Sequence, residues 1–287
     1  LKSVTLTASV VKRFIPARRA DSRKGANGTV LVVGGSHIYH GAPILSSLAA
    51  LRSGTDLVYT AVPKIHAGPT RAVSPNLIVL PMADQKLTRG SVNKLLGLIP
   101  KNLDSATIGM GLAVQETGAL KSLVGSLLDG DVRLSLDAGA LIPDVLPLLS
   151  DKNVVVTPHA GEFGRLFGQS PPDGLKQRCA LAERLAKEHG ITILLKGATD
   201  IITDGRSTYL NPKKTPAMTV GGTGDVLSGL VAGLLAKNRR ATESAAAAAL
   251  INGNAGRLAQ RKFGLHMASM DLIPEIPVVM RRFDEIK

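Results

Sequence analysis

The sequence predicts a doubly wound α/β fold, a mostly parallel central sheet flanked by helices on both faces. The β-branched run Thr29-Val30-Leu31-Val32-Val33 enters Gly34-Gly35-Ser36, as a strand buried on both faces does when it ends at a ligand-facing loop. Short apolar runs of this kind alternate with helical periodicity along the chain. Glycines gather where several of those runs stop.

Residues 1–14 carry a weak helical pattern of Val4, Leu6, Val10, Val11 and Phe14 that ends before Pro16, and residues 18–24 form a basic connector. After the strand at 29–33, residues 42–53 read as a helix with Ile44, Leu45, Leu48 and Leu51 on one side and Gly54 as its stop. A strand at 57–62 completes a strand-helix-strand unit, whose right-handed crossover makes the two strands parallel neighbours. A strand at 77–80, a helix at 92–99, a strand at 106–108, a helix at 117–128 and a strand at 134–136 continue the alternation. A helix broken by prolines is expected over 140–149, then a strand at 154–156 and a short helix near 162–167. Residues 175–189 form an amphipathic helix closed by Gly190, and strands follow at 191–195, 201–203 and 208–210. Two helices, 226–236 and the Ala-rich 242–260, complete the core.

No repeat, low-complexity tract or linker interrupts the sequence, so residues 1–287 are expected to form a single domain; at 287 residues and 44% hydrophobic they can bury one large core. Lys and Arg total 35 against 22 acids, a formal charge of +13, which favours anionic partners. With no Trp and 3% aromatics, the stacking surfaces of single-stranded nucleic-acid binders are scarce and the basic residues are scattered, so small phosphorylated ligands fit better than nucleic acid. The single Cys179 excludes an intramolecular disulfide and any multi-thiolate metal site, in keeping with a reducing, cytoplasmic setting. No apolar run approaches the roughly 18 residues of a membrane span, so no membrane partner is expected. The sequence begins at Leu1 rather than Met, which leaves open a few native residues ahead of it.

The chemistry is expected around Gly221-Gly222-Thr223-Gly224-Asp225, which leaves the turn-forming stretch Asn211-Pro212-Lys213-Lys214-Thr215-Pro216 and opens onto an apolar helix. Glycines there let several amide N–H groups converge at a helix N-terminus, an anion site. A P-loop would need Lys then Ser or Thr after its last glycine, where this chain has Asp225 and Val226, and Pro212 and Pro216 interrupt the strand that a dinucleotide fingerprint needs. An acid after an anion-binding turn suits phosphoryl transfer, which needs neutralised phosphate oxygens and a base for a hydroxyl proton. Asp225 can alternatively cap the helix. Other strand ends present Gly109 and Gly111, Asp137, residues 157–162 and Lys196-Gly197-Ala198. Lys196 is either a solvated strand end or the partner of a nucleotide phosphate; His159 either closes a turn after Pro158 or contacts substrate; Asp137 is either a site residue or a helix cap. Gly229 and Gly233, which cost a helix about 1 kcal/mol each against Ala, are expected to admit a close backbone or ligand.

Lys24-Gly25-Ala26-Asn27-Gly28, Gly34-Gly35-Ser36 with Tyr39-His40-Gly41-Ala42-Pro43, Gly109-Met110-Gly111-Leu112, Thr157-Pro158-His159-Ala160-Gly161-Glu162, Leu195-Lys196-Gly197-Ala198 and the Gly221 to Asp225 loop resemble, in order, the NAD(P)H-hydrate dehydratase family. The resemblance runs from about residue 4 to the last helix and implies a ribokinase-like fold without the family's frequent epimerase domain. It implies repair of the S-epimer of hydrated NADH or NADPH, with ADP as co-substrate, Mg2+, a homotetramer, and an NAD(P)H-hydrate epimerase on a separate chain. By the same resemblance Ala42, Gly111 and His159 line the hydrated dinucleotide site with Asp225, the catalytic acid. Lys196, Gly197, Ala198, Thr199, Asp200 and Gly224 contact the adenine nucleotide, and Gly221, Gly222, Thr223 and Gly224 form the anion hole. The metal ligands stay unassigned. Three positions depart from the family: Met110 stands where Pro is usual, Gly139 where an acid is frequent and Asn252 where His is common. The rival readings are a small-molecule kinase of the same fold, acting on a hydroxymethylpyrimidine, thiazole or sugar, and a non-enzymatic nucleotide- or nucleic-acid-binding protein.

Overall fold

The computed structural model describes residues 3–212, 215–238 and 240–287; Lys213 and Lys214, on the approach to the glycine loop, lie outside the described residues. The strands are β1 (Val4–Thr5), β2 (Thr29–Val33), β3 (Leu57–Pro63), β4 (Leu77–Met82), β5 (Ser105–Ile108), β6 (Arg133–Leu136), β7 (Val154–Val156), β8 (Thr192–Leu195), β9 (Thr199–Thr203) and β10 (Thr208–Pro212). The helices are α1 (Ala8–Lys12), α2 (Gly41–Arg52), α3 (Lys64–Val73), α4 (Arg89–Leu96), α5 (Thr117–Asp129), α6 (Leu146–Leu149), α7 (Ala160–Phe167), α8 (Leu175–His189), α9 (Thr223–Lys237), α10 (Ala241–Phe263) and α11 (Glu275–Met280).

All ten strands join one sheet in the order β1-β10-β9-β8-β7-β6-β5-β2-β3-β4, parallel except where β9 runs antiparallel to both β8 and β10. Both faces are covered, as the continuous apolar strands require. Along β2, Leu31 and Val33 face the core with α4, α5, α7 and α8, while Val30 and Val32 face the opposite layer with α2 and α9. The chain leaves β2 for β3 and β4 on one side and then returns to place β5 on the other. The strand order reverses there, and in open α/β sheets the crevice at such a point receives the ligand.

Four parts of the sequence reading need correction. Val4–Thr5 pairs in parallel with β10 rather than continuing the N-terminal helix, because its neighbours complete the sheet edge. The expected helix over 140–149 is three short pieces, 3-10 turns at Ala138–Ala140 and Pro143–Val145 and then α6, since Pro143 and Pro147 cannot donate the bonds a continuous helix needs. Helix α3 went unread because Gly68 and Pro69 lie inside it, and α11 because Pro274 and Pro277 resemble loop.

The helix that carries the glycine loop is fixed from two sides. Ser105 Oγ donates to the Ala232 carbonyl at 2.7 Å, and Thr107 Oγ1 and Ser228 Oγ share a hydrogen bond of 2.6 Å, so α9 is tied to β5. On its other side a methyl at Gly229 would stand 1.9 Å from the Ser46 carbonyl oxygen, and one at Gly233 2.1 Å from Ser53 Oγ. The two glycines admit the backbone of α2. Asp225 lies three and four residues before Ser228 and Gly229, so it projects from the anchored side of the helix.

Candidate active site

At the switch point the Gly35 N–H donates to the Met110 carbonyl at 2.9 Å, which joins the loops after β2 and β5. Met110 is fully buried, with its side chain against Gly34, so an unbranched thioether fills the position between the two glycines. A methyl at Gly111 would lie 3.3 Å from Ala42 Cβ, which brings Ala42 and Gly111 to one wall. Gly139 is pressed against the Leu112 carbonyl, 2.3 Å from where a Cβ would be, which leaves no room for an acidic side chain.

The phosphate-loop candidate is built by its own backbone. Gly222 has φ +96° and precedes the first residue of α9, a conformation that L side chains rarely adopt. Thr223 Oγ1 donates to the carbonyls of Met218 (3.0 Å) and Val220 (3.3 Å), which closes the turn. Asn252 on α10 donates from Nδ2 to the Thr223 carbonyl at 3.4 Å. Asp225 is therefore the third residue of the helix, not its cap, and its carboxylate makes no hydrogen bond among the described residues. Burial first, and then the charges of Asp137 and Glu162 against the opposing pull of Lys196, push its carboxyl up to about 7.

Lys196 supplies the countercharge. Its Nζ lies 2.9 Å from Asp137 Oδ1 and 3.5 Å from Glu162 Oε2. Burial opposes its charge, but the carboxylates of Asp137 and Glu162 outweigh burial and hold the ammonium above its ordinary value. Asp137 also accepts from Thr157 Oγ1 at 2.9 Å, and it makes no cap bond to the short turn it precedes, so the helix-cap alternative for it falls away. A methyl at Gly224 would stand 3.6 Å from Lys196 Nζ, which places the ammonium beside the glycine loop.

His159 fills the structural one of the two roles held open for it, closing the turn after Pro158. Its Nδ1 accepts the N–H groups of Gly161 (3.0 Å) and Glu162 (3.3 Å), and Glu162 Oε2 accepts the His159 N–H at 2.9 Å, a reciprocal capping box on α7. A nitrogen that accepts cannot carry the proton, so the neutral ring holds it on Nε2, which lies 3.4 Å from Glu162 Oε1 in a side chain that is 61% exposed.

The loop after β8 is less uniform than the sequence implies. Asp200 is completely buried; its Oδ1 accepts the Gly197 N–H at 3.1 Å and its Oδ2 accepts from Asn211 Nδ2 at 3.1 Å. Its carboxylate shapes the loop from within, while Lys196, Gly197 and Thr199 are half-buried and Ala198 is exposed. Sequence reasoning marked Asp137, Glu162 and Lys196 singly but missed that they meet; the only signal was that all three follow adjacent strands β6, β7 and β8.

Among the described residues no group of three or more His, Cys, Asp or Glu is arranged to hold a metal, and no helix is long and apolar enough to cross a membrane. A family profile described as NAD(P)H-hydrate dehydratase matches residues 30–278. The chain belongs to the NAD(P)H-hydrate dehydratase family. It is 72% identical over 282 residues to the ADP-dependent (S)-NAD(P)H-hydrate dehydratase of Nitrosopumilus maritimus (strain SCM1), with 98% of each chain covered. Of solved structures, the ADP/ATP-dependent NAD(P)H-hydrate dehydratase from Bacillus subtilis, co-crystallized with ATP/Mg2+, superposes with a TM-score of 0.83 at 26% identity, covering 99% of this chain and 100% of that one. A ribokinase-like superfamily protein from Enterococcus faecalis V583 superposes with a TM-score of 0.82 at 25% identity, covering 99% and 97%. The fold is ribokinase-like, as the family resemblance implies.

Proposed function

We propose that this chain catalyses the ADP-dependent dehydration of the S-epimer of hydrated NADH or NADPH, restoring the reduced dinucleotide and releasing AMP and phosphate. The observation that carries this reading is Asp225, a half-buried carboxyl raised to about 7, on the first turn of the helix that Gly222 opens and within the field of the Lys196 ammonium. A base with that affinity for protons is matched to a hydroxyl that must lose its proton as it attacks.

Asp225 accepts the ring hydroxyl's proton while that oxygen bonds to the terminal phosphorus of ADP and the bond from phosphorus to AMP breaks. The amides of Gly221, Gly222, Thr223 and Gly224 take the charge that develops on the phosphoryl oxygens. The ring nitrogen lone pair then expels phosphate from the ring carbon, and the neighbouring carbon gives up a proton to restore the double bond. Hydroxide leaves poorly and phosphate readily, so a kinase-like step yields a net dehydration. In this reading Ala42, Gly111 and His159 hold the hydrated ring, while Lys196 to Thr199 with Gly224 hold the nucleotide and Asp200 fixes that loop from beneath.

The donor set suits magnesium that arrives with the nucleotide rather than in a protein cage, because that ion keeps several waters and needs only one or two carboxylates beside phosphate oxygens. Asp137 and Glu162 border that space and would supply the protein's share; bound there, the ion would neutralise phosphate charge. The reading also takes residues 1–287 as a single catalytic domain, acting in the cytoplasm as a homotetramer and supplied by an epimerase on a separate chain.

The test incubates the purified chain with hydrated NADH and either ADP or ATP at equal magnesium, following reduced-nicotinamide absorbance and released phosphate. ADP should support turnover well above ATP, with AMP and phosphate formed in step with NADH. A stable phosphorylated product without NADH would establish the kinase reading instead. His159→Ser keeps an N-cap acceptor but removes the ring and its Nε2–H. It should fold normally and raise the KM for hydrated NADH about tenfold, the worth of one hydrogen bond, while leaving the KM for ADP unchanged. A rise confined to ADP would assign His159 to the other ligand.

A further inference from the structure

Among the described residues, the space beside the Gly221 to Asp225 loop is short of uncommitted positive charge. Asp137, Glu162 and Asp225 act on it together, and the one ammonium among them, Lys196, is already held by two of those carboxylates. Arg165 lies near and is committed as well, its Nε and Nη2 donating to the carbonyls of Leu141 and Ala138. Magnesium that arrives with a nucleoside diphosphate would balance those carboxylates, and the phosphate nearer the nucleoside still calls for a fixed cation of the protein.

Arg178 on α8 is placed to be that cation. It makes no salt bridge among the described residues, and its hydrogen bond is a long one, from Nη2 to the Lys196 carbonyl at 3.5 Å. Its Nε is buried without any partner. A guanidinium carries five donors, and a buried donor left unsatisfied is costly, so native structures seldom leave one without a ligand or water to meet it. The guanidinium also covers Gly197, where a methyl would lie 3.0 Å from Nη2, so Arg178 touches the loop that leads from Lys196 into β9. Gly197 is small where the arginine needs to reach across.

We propose that Arg178 binds the phosphate adjoining the nucleoside of the adenine nucleotide, with its guanidinium spanning the Lys196 to Thr199 loop while the terminal phosphate occupies the Gly221 to Gly224 turn. This rests on the reading of those two segments as the nucleotide site. It adds a phosphate-recognising residue on a helix outside every motif of the sequence.

The experiment is calorimetric binding of AMP and of adenosine to the intact chain, with no catalysis involved. Arg178→Met should weaken AMP at least tenfold and leave adenosine within about twofold, because a hydrogen-bonded charge pair is worth about 1.5–3 kcal/mol and only AMP carries the phosphate. Arg178→Lys keeps the charge without the fork and should fall between the wild type and Arg178→Met. Equal affinities in wild type and variant, or an equal loss for AMP and adenosine, would overturn the proposal and leave Arg178 as a prop for the loop. If Arg178→Met does not fold, Arg178→Lys decides: a several-fold loss for AMP alone supports the proposal, and unchanged AMP affinity overturns it. Failure of the wild type to bind AMP at all would overturn the nucleotide reading first, and this inference with it.

Discussion

Asp225→Asn is expected to lower turnover on the order of 10³-fold while AMP and ADP still bind, because the change removes the proton acceptor and nearly preserves its volume. In the wild type only the ionised carboxylate can accept a proton, so kcat/KM should rise with pH up to about 7 and level off above it, the limb being set by the raised carboxyl. The variant's residual activity should lack that limb. Near-normal turnover would remove Asp225 from the chemistry.

The same raised carboxyl predicts a gain in stability. Folding holds the Asp225 proton more tightly than the unfolded chain does, so the wild type loses stability as pH rises from the ordinary value of 3.8 to about 7, and the loss is complete above that. Asparagine is never ionised and escapes the loss. The interval corresponds to about 4 kcal/mol, reduced to roughly 2–3 kcal/mol by solvent at the open side of the site. Denaturant melts should therefore find Asp225→Asn more stable than wild type at pH 8, with the advantage shrinking as pH falls toward 4. An advantage independent of pH would show that the carboxyl is not strained by its surroundings. A base held at the cost of stability is what an active site is expected to show.

The layers of the fold were legible because buried parallel strands announce themselves as apolar β-branched runs, and β2, β7 and α8 fall where the pattern puts them. Elements whose residues argue against them locally were not. Pro69 and Gly68 hide α3, and β1 is two residues that become a strand only because β10 offers an edge. The site divides in the same way. Glycine loops and Asp225 can be read from order and spacing, since a turn's backbone demands are local. The junction of Asp137, Glu162 and Lys196 depends on three neighbouring strands and has no sequence spacing to betray it. Arg178 has even less signal, because an arginine on an amphipathic helix reads as a solvated face until its Nε is seen to be enclosed.

Lys196→Met is expected to damage the site in a way that pH can partly repair. The ammonium is 17% exposed and lies between carboxylates that are 3% and 11% exposed, so its loss leaves Asp137 and Glu162 without their countercharge and removes the one charge that holds the Asp225 carboxyl down. Breaking a buried pair from one side costs about 3–5 kcal/mol, because the remaining charge stays out of water with nothing to balance it. That penalty belongs to the ionised carboxylates. The Asp225 carboxyl should move further above 7 in the variant, so protonation relieves part of the strain as pH falls, and the instability should be greatest near pH 8 and smaller near pH 5. Urea melts of wild type and variant at the two pH values make the comparison, and an equal loss at both would mean that methionine merely packs badly. The double variant Lys196→Met, Asp137→Asn supplies the second check. Removing the stranded charge should recover part of the stability lost at pH 8, since residues in direct contact do not contribute additively. No recovery would show that Lys196 matters to the fold through something other than its pairing with Asp137.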